Sequence, residues 1–445
     1  MAGALLTDLY ELNMAASYLR RGMDEPATFS LFVRRLPPSR GFLVAAGLES
    51  CLDFLSSFSF EEEDLRYLSE TLGYDDATIE AFRGLRFEGE VWAVPEGRVV
   101  LANEPLLEVT APIAVAQLVE TYLLNQVTFQ STIASKAARC RLAVRGADLV
   151  DFAFRRTQGA EAAMAVARAT AMVGFVATSN VEAARRYGLR AAGTMAHSFI
   201  EAFPTEEEAF RAFAQDFPDR VTFLVDTYDT LNGVRTAVRV IRELGLADRL
   251  GIRLDSGDLA ALSREARRIL DEAGLPSVRI FASGGLDEYD LEELARSGAP
   301  IDAFGVGTKM GVSADAPYLD SVYKLVEYAG RPVVKLATDK VTLPGRKQVF
   351  RGPGGDVIGL RDEDPPRGAE PLLVPVMRGG RRTEPPGTIA EARARVEADL
   401  ERLPEEARRI RDPEAPEPAI SERLARLATE ARADALRRAG VASGT

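Results

Sequence analysis

The chain has 445 residues, 46% hydrophobic and 27% charged, a globular composition too long for a single hydrophobic core to be the natural arrangement. Its 55 basic and 67 acidic residues leave a net charge of −12 at pH 7, which excludes a general grip on nucleic acid and requires any phosphate to be bound locally. Cys51 and Cys140 are too few for a disulfide framework or a zinc cluster, which suggests a reducing cytoplasm; the lack of a basic N-terminal region, or of roughly 18 uninterrupted apolar residues, argues against a signal peptide or membrane span.

Leu5, Leu6, Leu9, Leu12 and Ala16 recur at helical spacing behind Thr7, so an amphipathic helix is expected first, with Tyr10 off its apolar stripe. ATFSLFVRRLP reads as a strand ending in an arginine pair, and EGEVWAVPEGRVVLANEPLLEVTAP as hairpin-like strands punctuated by proline and glycine. A long helix follows from about Val115 to Arg145. Residues 1–130 are therefore expected to form an α+β domain.

From Asp148 the texture changes to short apolar runs, each followed by a polar or glycine-bearing turn and a helical segment. The candidate strands are DLVDFAF, MVGFVATS, LRAAGTMAHS, RVTFLVDT, LGIRLDSG, SVRIFASGG, IDAFGVGT and DSVYKLVEY, with helices at Gly159–Met172, Glu206–Asp216, Leu231–Glu243 and Leu259–Glu272. This pattern predicts an α/β fold with a β/α barrel-like domain over residues 131–345, an open doubly wound sheet being the competitor. Almost every run ends in residues able to do chemistry, as expected if the strand ends share one mouth. Beyond Gly345 the chain is rich in Pro, Arg and Glu, and residues 346–445 read as an extension packing on the N-terminal domain, with a β-ribbon and surface helices at Thr388–Leu403 and Ile420–Ala439.

His197, the only histidine, follows an apolar run in GTMAHSF, beside the hydroxyls of Thr194 and Ser198. It is a candidate catalytic group, the plainer alternative being a hydrogen-bonded structural residue. In GIRLDSGDL, strand alternation puts Arg253 and Asp255 on one face, a pairing suited to an anionic substrate beside a sugar diol or Mg²⁺. The alternative is a structural ion pair with Asp258 as a helix cap. The turns in ASGGLDEYDL and FGVGTKMG offer adjacent backbone N–H groups that could cradle a phosphate. DFAFRRTQG adds Phe152, Arg155 and Arg156, an aromatic ring and guanidiniums able to stack on a flat ring and neutralise an anion. No GxxxxGK[ST] run is present, which argues against a P-loop.

Taken in order, LLTDLYELNM, DFAFRRTQG, GTMAHSF, IRLDSGDL, SGGLDEYDL and FGVGTKM resemble nicotinate phosphoribosyltransferase over roughly residues 5–345. The resemblance implies that nicotinate and phosphoribosyl pyrophosphate give nicotinate mononucleotide and pyrophosphate, with Mg²⁺, and with ATP hydrolysis passing through a phosphohistidine. It further implies an N-terminal α/β domain and an irregular β/α barrel of the type II phosphoribosyltransferase kind, in a cytoplasmic homodimer whose active sites span the subunit interface. By the same resemblance His197 is the phosphohistidine, and Tyr10, from the partner subunit, and Phe152 sandwich the pyridine ring. Arg155, Thr194 and Arg253 contact substrate, Asp255 holds the ribose, Ser283, Gly284, Gly285, Gly307 and Thr308 form the phosphate turns, and Arg35 reaches the pyrophosphate. The chain departs from relatives with a cysteine-rich zinc site near the C-terminus, since no cysteine follows Cys140. The closest alternative, nicotinamide phosphoribosyltransferase, has an aspartate at the base of the ring pocket where this chain has Ser179, and a serine suits a carboxylate better. Quinolinate phosphoribosyltransferase has no need of an ATP-phosphorylated histidine. A non-catalytic barrel binding protein would have lost His197, Asp255 or the glycine turns, and all are present.

Overall fold

The structure is a computed structural model that describes residues 3–246, 250–336 and 342–440. The chain divides into two units: one takes the described residues up to Thr132, Tyr318–Arg409 and those from Pro413 onward, the other Ile133–Pro317 with Ile410–Asp412.

In the first unit Pro26–Val33, buried beyond its first residue, lies within a seven-stranded antiparallel sheet ordered Arg331–Pro332, Ser321–Tyr328, Pro26–Val33, Pro105–Pro112, Glu90–Ala93, Val374–Arg378, Arg381–Arg382. The N-terminal helix is Leu9–Arg20, later than the leucine spacing suggests, so Leu6 precedes it and Leu6 and Leu9 are each 53% exposed. Its buried face is Glu11, Leu12, Ala15 and Ala16. The ribbon expected after Gly345 is the antiparallel pair Lys347–Gly352 and Gly355–Leu360, and the later helices are Ile389–Arg402 and Glu422–Arg438. The extension's Val374–Arg378 strand pairs with Glu90–Ala93, and the Lys347 ammonium lies 3.1 Å from the buried Glu108 carboxylate.

The second unit is a curled, open, six-stranded parallel sheet, ordered Ala177–Thr178, Asp148–Asp151, Ala303–Val306, Arg279–Ala282, Gly251–Leu254, Thr222–Leu224. Helices Ala160–Met172, Thr230–Glu243, Leu259–Glu272 and Glu288–Arg296 lie between the strands in sequence; Asp229, Asp258 and Asp287 cap the last three by accepting from their first-turn N–H groups. Two of the eight expected barrel strands are not there. LRAAGTMAHS makes only an isolated bridge between Ala191 and Thr178, because Arg190, Ala191 and Gly193 are exposed and no face is buried to hold a strand. DSVYKLVEY lies in the other unit as Ser321–Tyr328, paired with Pro26–Val33, where Phe29 and Tyr323 stack at 4.8 Å. The parallel sheet is thus a half-barrel, α/β as expected but not closed. No helix among the described residues is long and apolar enough to cross a membrane.

Candidate active site

Parallel pairing brings the carboxyl ends of adjacent strands together, and there the second unit gathers most of the residues singled out above. Arg253 is the hub. Its Nε donates to Ser283 Oγ at 2.8 Å, Nη1 to Thr194 Oγ1 at 3.1 Å and Nη2 to Asp255 Oδ1 at 2.6 Å, while its guanidinium lies 5.4 Å from the Phe152 ring centre. Ser283 also donates to Asp255 Oδ1. Burial by itself would raise the Asp255 carboxyl, but the Ser283 hydroxyl and the Arg253 charge outweigh it and hold the group below the ordinary carboxylate range. Asp255 is therefore an anion at neutral pH.

His197 opens a five-residue helix, with Nδ1 3.1 Å from Thr227 Oγ1 and Nε2 3.9 Å from Asp255 Oδ2. The imidazole is 41% exposed, open enough to meet a substrate phosphate. Asp258, in the same motif, caps the Leu259–Glu272 helix through Ala261 N–H at 2.9 Å, so for that residue the structural alternative holds.

Phe152 leaves the end of Asp148–Asp151 and packs beside Phe281, with ring centres 5.5 Å apart. The neighbouring strand makes room for it at Gly305, where a Cβ would stand 2.6 Å from the Phe152 ring. Ser179 lies one strand away, its N–H donating to Asp151 O at 2.8 Å. Gly284, at φ +113°, passes so close to Asp255 that a Cβ would fall 2.1 Å from its carbonyl oxygen, and Gly285 follows at φ +73°. Only glycine adopts that path without strain. Gly307 backs onto the Phe152 carbonyl, and Thr308 Oγ1 accepts from Arg156 at 3.2 Å. Arg155 is exposed on the Phe154–Arg156 turn.

Two expected site residues belong to the other unit. Tyr10 is 49% exposed and donates to Glu11 Oε1 at 3.1 Å. Arg35, with its side chain 86% exposed, stands with Arg34 and Arg40 on the wall of a cavity of about 710 Å³.

Sequence reasoning missed Asp226 and Asp151. Asp226 Oδ2 accepts from Asp255 N–H at 3.1 Å and Ser256 Oγ at 2.6 Å, while its Oδ1 is buried and takes no hydrogen bond among the described residues. Asp151 accepts from Thr178 Oγ1 at 2.7 Å and Ala153 N–H at 2.8 Å, tying the Phe152 strand to its neighbour. The available signal was position, since RVTFLVDT and DLVDFAF each carry an aspartate at the end of the apolar run, as LGIRLDSG does.

Three family models match the chain: the nicotinate phosphoribosyltransferase N-terminal domain over residues 5–128, the nicotinate phosphoribosyltransferase family over 147–347, and the nicotinate phosphoribosyltransferase C-terminal domain over 361–428. The last covers much of the extension on which the motifs said least. Among similar proteins, a nicotinate phosphoribosyltransferase of Mycobacterium tuberculosis is 48% identical over 92% of this chain and 89% of its own, and one of Bacillus subtilis 46% identical over 81% and 76%. In structure, human nicotinic acid phosphoribosyltransferase superposes with a TM-score of 0.85 at 32% identity, covering 95% of this chain and 99% of that one. The nicotinate-nucleotide pyrophosphorylase of Pyrococcus furiosus gives a TM-score of 0.75 at 26% identity, covering 90% and 95%.

Proposed function

The chain belongs to the nicotinate phosphoribosyltransferase family, whose members join nicotinate to phosphoribosyl pyrophosphate in NAD salvage, and we propose that in this enzyme ATP drives the synthesis by phosphorylating His197. The observation that carries this reading is the pairing of the sole histidine with Thr227 at Nδ1, which leaves Nε2 toward Asp255 and the open mouth. In the tautomer that carries its proton on Nδ1, Thr227 Oγ1 accepts from that N–H and the Nε2 lone pair is free to attack the γ-phosphorus of ATP. The bond from that phosphorus to the bridging oxygen breaks and ADP leaves. Water later takes the phosphoryl group, the P–N bond breaks, and phosphate departs.

Ribosyl transfer itself needs no protein nucleophile, because departure of pyrophosphate leaves an oxocarbenium-like centre at C1 that the pyridine nitrogen attacks. Asp255 supplies a fixed anion to hold the ribose hydroxyls beside that centre, kept ionised by Arg253 and Ser283. Phe152 forms one face of the ring site, and Tyr10 of the partner subunit in a homodimer forms the other. Arg253, Arg155 and Thr194 address the nicotinate carboxylate, with Ser179 at the base of the ring pocket. The turns at Ser283, Gly284 and Gly285 and at Gly307 and Thr308 take the phosphate of the ribosyl donor, and Arg35 the pyrophosphate.

The residues present fit a magnesium ion. Asp226, which accepts from the Asp255 backbone N–H, presents a buried carboxylate oxygen that takes no hydrogen bond among the described residues, and one or two carboxylates completed by substrate phosphates are the usual protein share of such a site. When bound, Mg²⁺ neutralises charge on the departing pyrophosphate. The fold reads as a type II phosphoribosyltransferase half-barrel, in which the unit from Ile133 to Pro317 carries the chemistry. The buried free thiols of Cys51 and Cys140 suit a reducing cytoplasm.

The test is to compare synthesis with and without ATP in the native enzyme and in His197→Ala. The native enzyme is expected to accelerate with ATP and to release ADP with product. His197→Ala should retain a slow ATP-independent synthesis and lose the acceleration, and full ATP stimulation in that variant would contradict the proposal.

A further inference from the structure

The glycine turn Ser283–Gly285 runs straight into the helix Glu288–Arg296, and the first residue of that helix is completely buried. Glu288 meets two cations from one face of the helix Glu120–Ala143: Lys136 Nζ lies 2.5 Å from Oε2 and Arg139 Nε 3.2 Å from Oε1. Lys136 reaches a second carboxylate, Asp315, at 2.8 Å. The side chains of Lys136, Arg139 and Glu288 are all nearly inaccessible, which is costly for three charges unless each is paired.

Ile410–Asp412, a short stretch of the C-terminal extension, closes the same cluster. Arg139 Nη2 donates to Ile410 O at 2.5 Å, and Arg411 Nε lies 3.2 Å from Glu292 Oε2, one turn along the helix from Glu288. Tyr289 sits among the three cations, its ring centre 5.7 Å from Lys136, 5.8 Å from Arg139 and 5.2 Å from Arg411. On the mouth side Lys309, next to the second glycine turn, contacts Asp287 at 3.5 Å and Asp290 at 3.0 Å.

We propose that Glu288, fixed by Lys136 and Arg139 and braced by the Ile410–Asp412 strap, is a positioning residue that sets the glycine turn for the phosphate of phosphoribosyl pyrophosphate. Gly284 has no freedom to compensate for a moved helix, since its backbone is already against the Asp255 carbonyl. A shift at Glu288 is passed through Asp287 and Leu286 to the Gly284–Gly285 backbone, which forms the turn itself. The extension thus acts on substrate affinity through a buried charge cluster that touches no substrate. This rests on the assignment of Ser283–Gly285 to phosphate.

Three variants test it, each read by steady-state kinetics with both substrates and by hydrogen exchange across residues 283–290. Glu288→Gln keeps the shape and removes the charge. Arg411→Ala loosens the strap from a side chain that is 55% exposed and so leaves folding intact. Gly284→Ala strikes the turn directly. The expected result is a KM for phosphoribosyl pyrophosphate raised about tenfold in Glu288→Gln and less in Arg411→Ala, with the nicotinate KM and kcat within about twofold of native and faster exchange in the turn. If Gly284→Ala raises that KM while both other variants keep the native value, the cluster is merely structural and the proposal falls. If Gly284→Ala leaves that KM unchanged, the phosphate assignment falls and the proposal with it. Should Glu288→Gln fail to fold, an unchanged KM in Arg411→Ala is by itself enough to overturn it.

Discussion

Arg253 has three hydrogen-bond partners and an aromatic face, so removing it would release Asp255, Ser283 and Thr194 together. Arg253→Ala would therefore injure ribosyl chemistry with any acceptor and says little about the choice of acid over amide. Ser179 is the cleaner probe, because its backbone is fixed to Asp151 O and its side chain can be changed without dismantling that hub. Ser179→Asp should lower kcat/KM for nicotinate by about 10- to 100-fold, and that for nicotinamide much less, as an anion placed opposite a carboxylate costs roughly a charged hydrogen bond or more. Equal losses for both acceptors would remove Ser179 from specificity. Beside Tyr10, burial lifts the Glu11 carboxyl to about 7, so the folded protein keeps a proton that the unfolded chain releases at lower pH. The stability that this proton contributes is present in acid and lost as pH rises through about 7. Denaturant midpoints from about pH 5 to about pH 8 should fall less steeply in Glu11→Gln than in the native protein. At this scale His197, Asp255 and the glycines were legible because their types are rare or their motifs distinct. Asp226 and Asp151 were not, because a lone aspartate after an apolar run reads as an ordinary helix cap, and only strand pairing shows which carboxylate faces a neighbour.

The parallel strands work as elements because glycine brings their ends close. Gly305 lets the Phe152 ring lie across Ala303–Val306, and a methyl group there would meet Phe152 at 2.6 Å and Phe281 at 3.0 Å. Gly305→Ala should push Phe152 into the ring site and raise the nicotinate KM about tenfold, with the phosphoribosyl pyrophosphate KM near native, since overpacking of this kind costs about 1–3 kcal/mol. An unchanged nicotinate KM would mean that the pyridine does not rest on Phe152. Six of the eight strand runs were legible from apolar blocks bounded by turns. DSVYKLVEY departs from the rest: Lys324 and Glu327 leave it only partly buried, unlike the doubly buried strands of a parallel sheet, and that suits the antiparallel sheet it joins. LRAAGTMAHS has the apolar content of a strand, but Met195 alone in it is buried.

At the scale of the whole molecule, the proposed ring site takes Phe152 from one subunit and the half-exposed Tyr10 from its homodimer partner. Mixing Tyr10→Ala chains with Asp255→Ala chains should give more activity than the two parents sum to, because one site of a mixed dimer then has both residues intact. Absence of rescue despite confirmed subunit exchange would contradict the shared site. The central claim, that ATP acts through His197, is tested most directly by incubating the native enzyme with ATP labelled at the γ-phosphate and locating the label by peptide mass spectrometry. Because the chain has one histidine, the account predicts an acid-labile phosphoryl group on the peptide carrying His197, discharged when nicotinate and phosphoribosyl pyrophosphate are added. Label on any other residue, or ATP hydrolysis coupled to synthesis with His197 never phosphorylated, would contradict it.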